Sequence, residues 1–295
     1  MRESANIHPL AVVDPKAQIG KNVTVEPFAV VKQNVTLHDG VTIKSGAYID
    51  GYTTIGEGTT IWPGAVIGTR TQDRKYLGER TYVMIGKRCE IREFATINSS
   101  TFAESTVRVG DHSLIMAYCH IAHNCEVGNY VTMSNNSLLA GHVIVEDYAT
   151  LGGMTPVHQF VRIGCHAMVG GMSRVTHDVP PYTIGGGVPY CLGGINRIGL
   201  KRRNFSFESR KALFHAYRLV YRSKLLLKDA LDLVEKDVLM CDEVKHFLQF
   251  CRSTKRGLIG MRGVHAGISN KPSDPAMEIE KISPEDLLIE AGRQP

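Results

Sequence analysis

No stretch of the 295 residues approaches the roughly 20 consecutive apolar residues that a membrane span needs. The opening MRESANIHPL lacks the apolar core of a secretory signal. The seven cysteines include no C-x-x-C and no paired spacing. That pattern argues against a disulfide framework and against a zinc site built on cysteine. The usual nucleic-acid-binding motifs are also missing. With an ordinary apolar share of 43%, these absences leave a soluble, cytoplasmic globular protein as the expectation.

What the chain does have is a period of six. An aliphatic residue returns at Ile7, Val13, Ile19, Val25, Val31, Leu37, Ile43, Ile49, Ile55, Ile61 and Ile67. The series resumes at Ile85, Ile91 and Ile97, and runs again from Val109 to Val175. Four residues after each comes a small or β-branched side chain, such as Ala29, Ala65, Cys125 or Ala149. Six fits neither the helical nor the strand period, and is the signature of a parallel β-helix. Three hexads close one coil, so residues 18 positions apart should lie one above the other, about 4.8 Å apart. Cys89, Cys119 and Cys125 fall on the small inward position, where reduced core thiols are expected, and Cys165 falls outside it as a free thiol.

The phase is lost twice, in TRTQDRKYLGERTY and in NSSTFAESTVR, and returns unchanged. Such insertions are loops thrown out from the coil, near 69–84 and 98–108, and loops of this kind often carry function. Val179-Pro180-Pro181 is expected to end the coil, because consecutive prolines cannot continue a hydrogen-bonded ladder. GGGVPYCLGG then reads as a flexible crossing. The coil domain is thus placed at 1–181, and a connecting segment with a helical domain at 182–263. One helix starts near Ser206, with Leu213, Ala216, Tyr217 and Val220 on one face. Two shorter ones are expected near 228–236 and 242–251. An acidic, disordered tail is expected over 264–295. The flat faces of such a coil pack against copies of themselves, so a homotrimer with sites between subunits is expected.

Charge is unevenly spread. Arg197 to Arg262 holds 16 Lys/Arg against 7 Asp/Glu, whereas Val264 to Pro295 holds 3 against 6. A basic region beside a catalytic domain suits an acidic partner.

Four histidines share one edge of the coil. His120 and His123 lie on one turn, His142 on the next and His158 on the one after. None takes an inward position. One reading is a metal site, as in repeat enzymes that bind zinc through three histidines. The close pair there is spaced five apart, and here His120 and His123 are spaced three apart. The other reading is general-base catalysis, since an imidazole can take a proton from a hydroxyl at neutral pH. Gly141 lies one coil above His123, where its N–H could stabilise an acyl-transfer oxyanion.

The stretches AHNCEVGN, LAGHV, GGMTPVHQFVRIG, DVPPY and GLKRR resemble, in order, segments of the acyl-ACP:UDP-N-acetylglucosamine O-acyltransferases. The resemblance runs from about Ile7 to Arg262. It implies a mainly β fold: a left-handed parallel β-helix followed by a small C-terminal α-helical domain. It implies transfer of a fatty acyl chain from acyl carrier protein to the glucosamine 3-hydroxyl of UDP-GlcNAc, the first step of lipid A synthesis. No cofactor and no metal are expected, because the acyl group arrives on the carrier's phosphopantetheine. By the same resemblance His123 matches the general base and Gly141 the oxyanion glycine. Asp73, Lys75, His120, His142, His158 and Gln159 match substrate-binding positions. Asn196, Arg202 and Arg203 match nucleotide- and phosphate-binding positions. Gly171 matches a position that gauges acyl-chain length, and a glycine there implies a long chain, near fourteen carbons. Asn124 stands where many members have Asp, and Ile198 where some have Glu near the nucleotide. The acidic tail has no counterpart in the pattern. A related acyltransferase with an amino-sugar acceptor and a non-catalytic β-helical scaffold are the alternatives.

Overall fold

The computed structural model describes residues 5–261. The expected acidic tail lies outside the described residues. The strands form three sheets of eleven, eight and eight, parallel throughout except for the last strand of the first, and most are only two residues long. The first face carries, among others, Thr60–Ile61, Leu114–Ile115 and Thr132–Met133. The second carries His120–Ile121, Leu138–Leu139 and Pro156–Val157. The third carries Glu126–Val127, Ile144–Val145 and Arg162–Ile163. Together they make a left-handed parallel β-helix.

Each hexad works the same way. A large aliphatic residue ends the short strand and points inward: Ile43, Ile61, Ile91, Ile115 and Ile121 are wholly buried. Three residues later the chain turns a corner through a left-handed residue, as at Asn124 (φ 56°), His142 (62°) and Phe160 (64°). The small residue after the corner, such as Cys125 or Ala149, is also buried. A non-glycine residue in this conformation costs about 1–3 kcal/mol. Stacking between coils offsets part of that cost. His112, Tyr130, Tyr148 and His166 form a ladder with ring centroids 4.8 Å apart at each step, and such pairs contribute about 0.5–1.5 kcal/mol each. The first coil is less well covered: Ile7 is 41% exposed.

Both loops insert whole hexads. Ile43 pairs with Ile61 across an ordinary coil, whereas Ile67 pairs with Ile97 across the first loop and Ile97 with Ile121 across the second. The separations are thirty and twenty-four residues rather than eighteen, so the inward phase survives, as the sequence implied.

The C-terminal end of the coil departs from the expectation. The ladder does not stop at Pro180-Pro181. Thr183–Gly186 adds a further parallel strand to the first face, and Cys191–Ile195 returns antiparallel to it. The prolines sit in a turn, where the Pro180 carbonyl accepts the Thr183 hydroxyl, so no strand N–H is lost. The glycine-rich stretch is therefore a hairpin rather than a flexible crossing. Helix α1 (Arg197–Arg202), which the sequence did not announce, follows directly. Helix α2 (Phe207–Arg222) starts at the Ser206 N-cap, whose hydroxyl accepts from Ser209 N–H. Its buried face is Ala212, Leu213, Ala216, Tyr217 and Val220. Helices α3 (Leu227–Asp237) and α4 (Asp242–Arg252) lie close to the expected spans. No helix among the described residues is long and apolar enough to cross a membrane.

Arg162 fastens the helices to the coil. Its Nε lies 3.2 Å from the Asp178 carboxylate, its guanidinium donates to the Phe250 carbonyl (2.9 Å), and it covers the Phe250 ring. Asp178 is buried and also accepts from Arg162 N–H and the Thr254 hydroxyl.

Candidate active site

The corner between the second and third faces gathers the site. His123 follows strand His120–Ile121, and its Nδ1 lies 3.0 Å from the Asn124 amide oxygen. That oxygen can only accept, so Nδ1 carries the ring proton and Nε2 keeps its lone pair. The first loop folds back until the Asp73 carboxylate stands 3.7 Å from Nε2, beyond a direct hydrogen bond. The Lys75 N–H, 3.0 Å from Asp73 Oδ1, holds the Asp73 carboxyl below its usual range. The His123, Lys75 and His142 charges act in the same direction.

His142 stands edge-on to His123, with centroids 5.2 Å apart, and stacks on Phe160 at 4.6 Å. Burial, then the charge of His123, lowers its basicity. His120 bonds the Thr96 hydroxyl at 2.7 Å and is likewise lowered, first by burial and then by His123. Of the three rings gathered at this corner, the one with both a fixed tautomer and an open nitrogen is therefore His123. Among the described residues the histidine edge does not bring three ligating atoms together; one cluster elsewhere does. Within a single copy the edge thus presents a positioned imidazole and no cluster of three ligand atoms.

Gly141 is buried, and its N–H makes no hydrogen bond among the described residues. It also has a second role that spacing alone did not reveal. A Cβ at this position would run into the His123 imidazole, so the ring lies over Gly141 because that residue has no side chain.

His158 is exposed, and its Nδ1 lies 3.2 Å from the Gln159 carbonyl. The coil register stacks it with the other three, but no ring contact joins them. It instead lines a cleft of about 430 Å³ on the second face, with Met154, Pro156, Val157, Met172 and Val188. Gly171 adjoins Met172 at the cleft's edge. Its backbone is not in the left-handed region, and a Cβ there would stand 3.2 Å from the Gly153 carbonyl. No turn demands a glycine at 171. Gln159 is exposed beside this cleft. A groove of about 760 Å³ lies on the third face among Glu57, Lys87, Arg108 and Glu126, and includes none of the four histidines.

Asn196, Arg202 and Arg203 lie elsewhere, at the corner between the third and first faces. Asn196 caps α1 through Gly199 N–H and donates to the His166 carbonyl. Arg203 covers the Tyr148 ring at 4.2 Å, and Arg202 is exposed in the last turn of α1. The sequence motifs did not single out Thr96, Phe102 and Phe160. Phe102, from the second loop, stands 6.1 Å from His142. Phe160 could have been found, since it lies one coil above His142.

The comparisons fit this geometry. Residues 34–69 and 106–141 match the family model described as bacterial transferase hexapeptide (six repeats). The coil is thus that of a hexapeptide transferase. Residues 178–259 match the model described as UDP N-acetylglucosamine O-acyltransferase, domain 2. An acyl-[acyl-carrier-protein]–UDP-N-acetylglucosamine O-acyltransferase from Chlamydia abortus is 54% identical over 97% of this chain and 99% of its own. One from a Janthinobacterium species is 46% identical over 86% and 98%. The solved UDP-N-acetylglucosamine acyltransferase from Bacteroides fragilis is 41% identical and superposes with a TM-score of 0.84 over 85% of this chain and 99% of that one. The chain belongs to the acyl-[acyl-carrier-protein]–UDP-N-acetylglucosamine O-acyltransferase family. The Chlamydia match corrects one expectation: at 97% of the chain it extends into the acidic tail, which therefore has a counterpart in some members.

Proposed function

We propose that His123 is the general base of an acyl transfer from acyl carrier protein to the glucosamine 3-hydroxyl of UDP-GlcNAc, as the first step of lipid A synthesis. The observation that carries this reading is the His123 ring, fixed at Nδ1 by Asn124 and lying over the unpaired Gly141 N–H. Nε2 takes the hydroxyl proton, and the oxygen attacks the thioester carbonyl. The Gly141 N–H receives the oxyanion. Protonated His123 then returns the proton to the leaving phosphopantetheine thiolate. Asp73, Lys75, His120 and His142 surround the acceptor sugar. His158 and Gln159 border the cleft that takes the acyl chain, which Gly171 leaves open to a length near fourteen carbons. The reaction calls for no cofactor and no metal.

The same reading makes the protein a cytoplasmic homotrimer. Phe28, Phe94, Tyr118, Met154 and Met172 recur at one corner of the coil and are all more than half exposed. An apolar stripe of this kind suits a second copy. The site residues divide between two corners, so Asn196, Arg202 and Arg203 of one copy would hold the nucleotide beside His123 of the next. The basic stretch from 197 to 262 would dock the acidic carrier protein.

The test is transfer to UDP-GlcNAc, and to its 3-amino analogue, from carrier proteins loaded with chains of different length, read by mass spectrometry. His123→Ala is expected to lose at least roughly 10²-fold in rate. Transfer that survives this substitution would move the base elsewhere on the histidine edge. Sedimentation of the same sample checks the trimer, and an active monomer would remove the shared-site part of the reading.

A further inference from the structure

A second group of reactive side chains lies away from His123, where the last full coil meets α4. Cys165 Sγ is 3.4 Å from His246 Nδ1, and His246 Nε2 is 3.2 Å from Glu146 Oε2. The Cys165 N–H donates to that same Glu146 oxygen at 2.8 Å, which fixes the carboxylate. The Tyr182 hydroxyl stands 3.1 Å from His246 Nδ1. All three triad side chains are partly open to solvent.

We propose that Cys165, His246 and Glu146 form a nucleophilic thiol triad, a site of S-modification whose oxidant class is the hydroperoxides. The order is that of an activated nucleophile: thiol to imidazole, and imidazole to an orienting carboxylate. The hydrogen bonds of Cys165, then of Glu146, raise the His246 imidazole to about 10 against the opposing effect of burial, so a proton taken from the thiol has a strong acceptor. Burial keeps the Tyr182 phenol protonated, so its O–H stands as a donor at the same His246 nitrogen that faces the thiol.

The contrast with the other cysteines is chemical. Cys89, Cys119 and Cys125 are buried and donate S–H to backbone carbonyls at 3.1 Å. Burial pushes their thiols up to about 11, 11 and 12. Cys191 is more exposed than Cys165, and among the described residues its Sγ has a hydrogen-bond contact only with the Pro189 carbonyl, at 3.7 Å. In the reaction the Cys165 sulfur attacks the terminal oxygen of the hydroperoxide. An S–O bond forms, the O–O bond breaks, and the leaving oxyanion takes the proton held on His246. Sulfur is oxidised by two electrons to a sulfenic acid, and the hydroperoxide is reduced to water or an alcohol.

The test is made on the full-length protein at pH 6.5. Iodoacetamide labelling is followed cysteine by cysteine by mass spectrometry, and hydrogen peroxide oxidation is trapped with dimedone. Cys165 is expected to react at least about tenfold faster than Cys191, although access alone favours Cys191. His246→Gln should bring Cys165 down to the Cys191 rate, and Glu146→Gln should do so in part if His246→Gln fails to fold. Wild-type rates with Cys165 no faster than Cys191 would overturn the proposal. So would a folded His246→Gln protein with an unchanged Cys165 rate. A third arm adds one equivalent of zinc. Stoichiometric binding that protects Cys165 would make the cluster a metal site instead, and would overturn the triad.

Discussion

At the residue scale the site turns on what stands beside each ring. The Asn124 amide orients His123 but cannot lend it negative charge. Asn124→Asp should therefore move the acid limb of the pH–rate profile upward, since a neighbouring carboxylate favours the imidazolium; an unmoved limb would mean that this side chain only positions the ring. Gly171 is open to substitution because its φ is ordinary, and only the Gly153 carbonyl needs to yield slightly. Gly171→Met should shift preference toward shorter acyl chains with little loss of stability, as read by the same donor panel and by thermal melting. The hexad rule made the inward residues and the stacked histidines legible from sequence alone. It could not show that His158 lines a separate cleft on the second face, because register fixes the height of a side chain and not the walls around it. Nor could it show the contact between Cys165 and His246, which are 81 residues apart and belong to different elements.

At the scale of elements the left-handed corners make the coil regular, and one of them titrates. His166 stands in the ring ladder beside Arg203. Burial, then the Arg203 charge, lowers its imidazole to about 4 from the usual 6.5. Between those values the unfolded chain binds a proton that the folded chain does not, so stability falls as the pH drops from about 6.5 to about 4. The loss from this one group is about 1–3 kcal/mol. His166→Phe keeps a ring in the ladder and should flatten that part of the pH dependence in urea unfolding; an undiminished slope would assign it to other groups. The ends of the coil were the least legible elements. Paired prolines read as a stop, yet they occupy a turn whose geometry needs no ladder N–H. Six residues of α1 are too few for a periodic signal.

Across the whole molecule, coil and helices are joined through a buried charge. Asp178→Ala leaves the Arg162 guanidinium without its carboxylate and should cost about 3–5 kcal/mol; a denaturant midpoint close to wild type would show that the Phe250 carbonyl and ring hold Arg162 unaided. The whole-hexad loops have a separate consequence for chain-length selection. The coil behaves as a graduated screw, which keeps its core inward when whole hexads are added or removed, but keeps the site on the same corner only when complete turns of three hexads are. About 13 Å of rise separates the His123 level from the Gly171 level at one strand spacing per turn. A lineage could therefore reset an acyl gauge in two ways. Adding or deleting a full turn between these levels moves the stop by about 4.8 Å, a coarse step, while a new side chain at position 171 makes the fine adjustment.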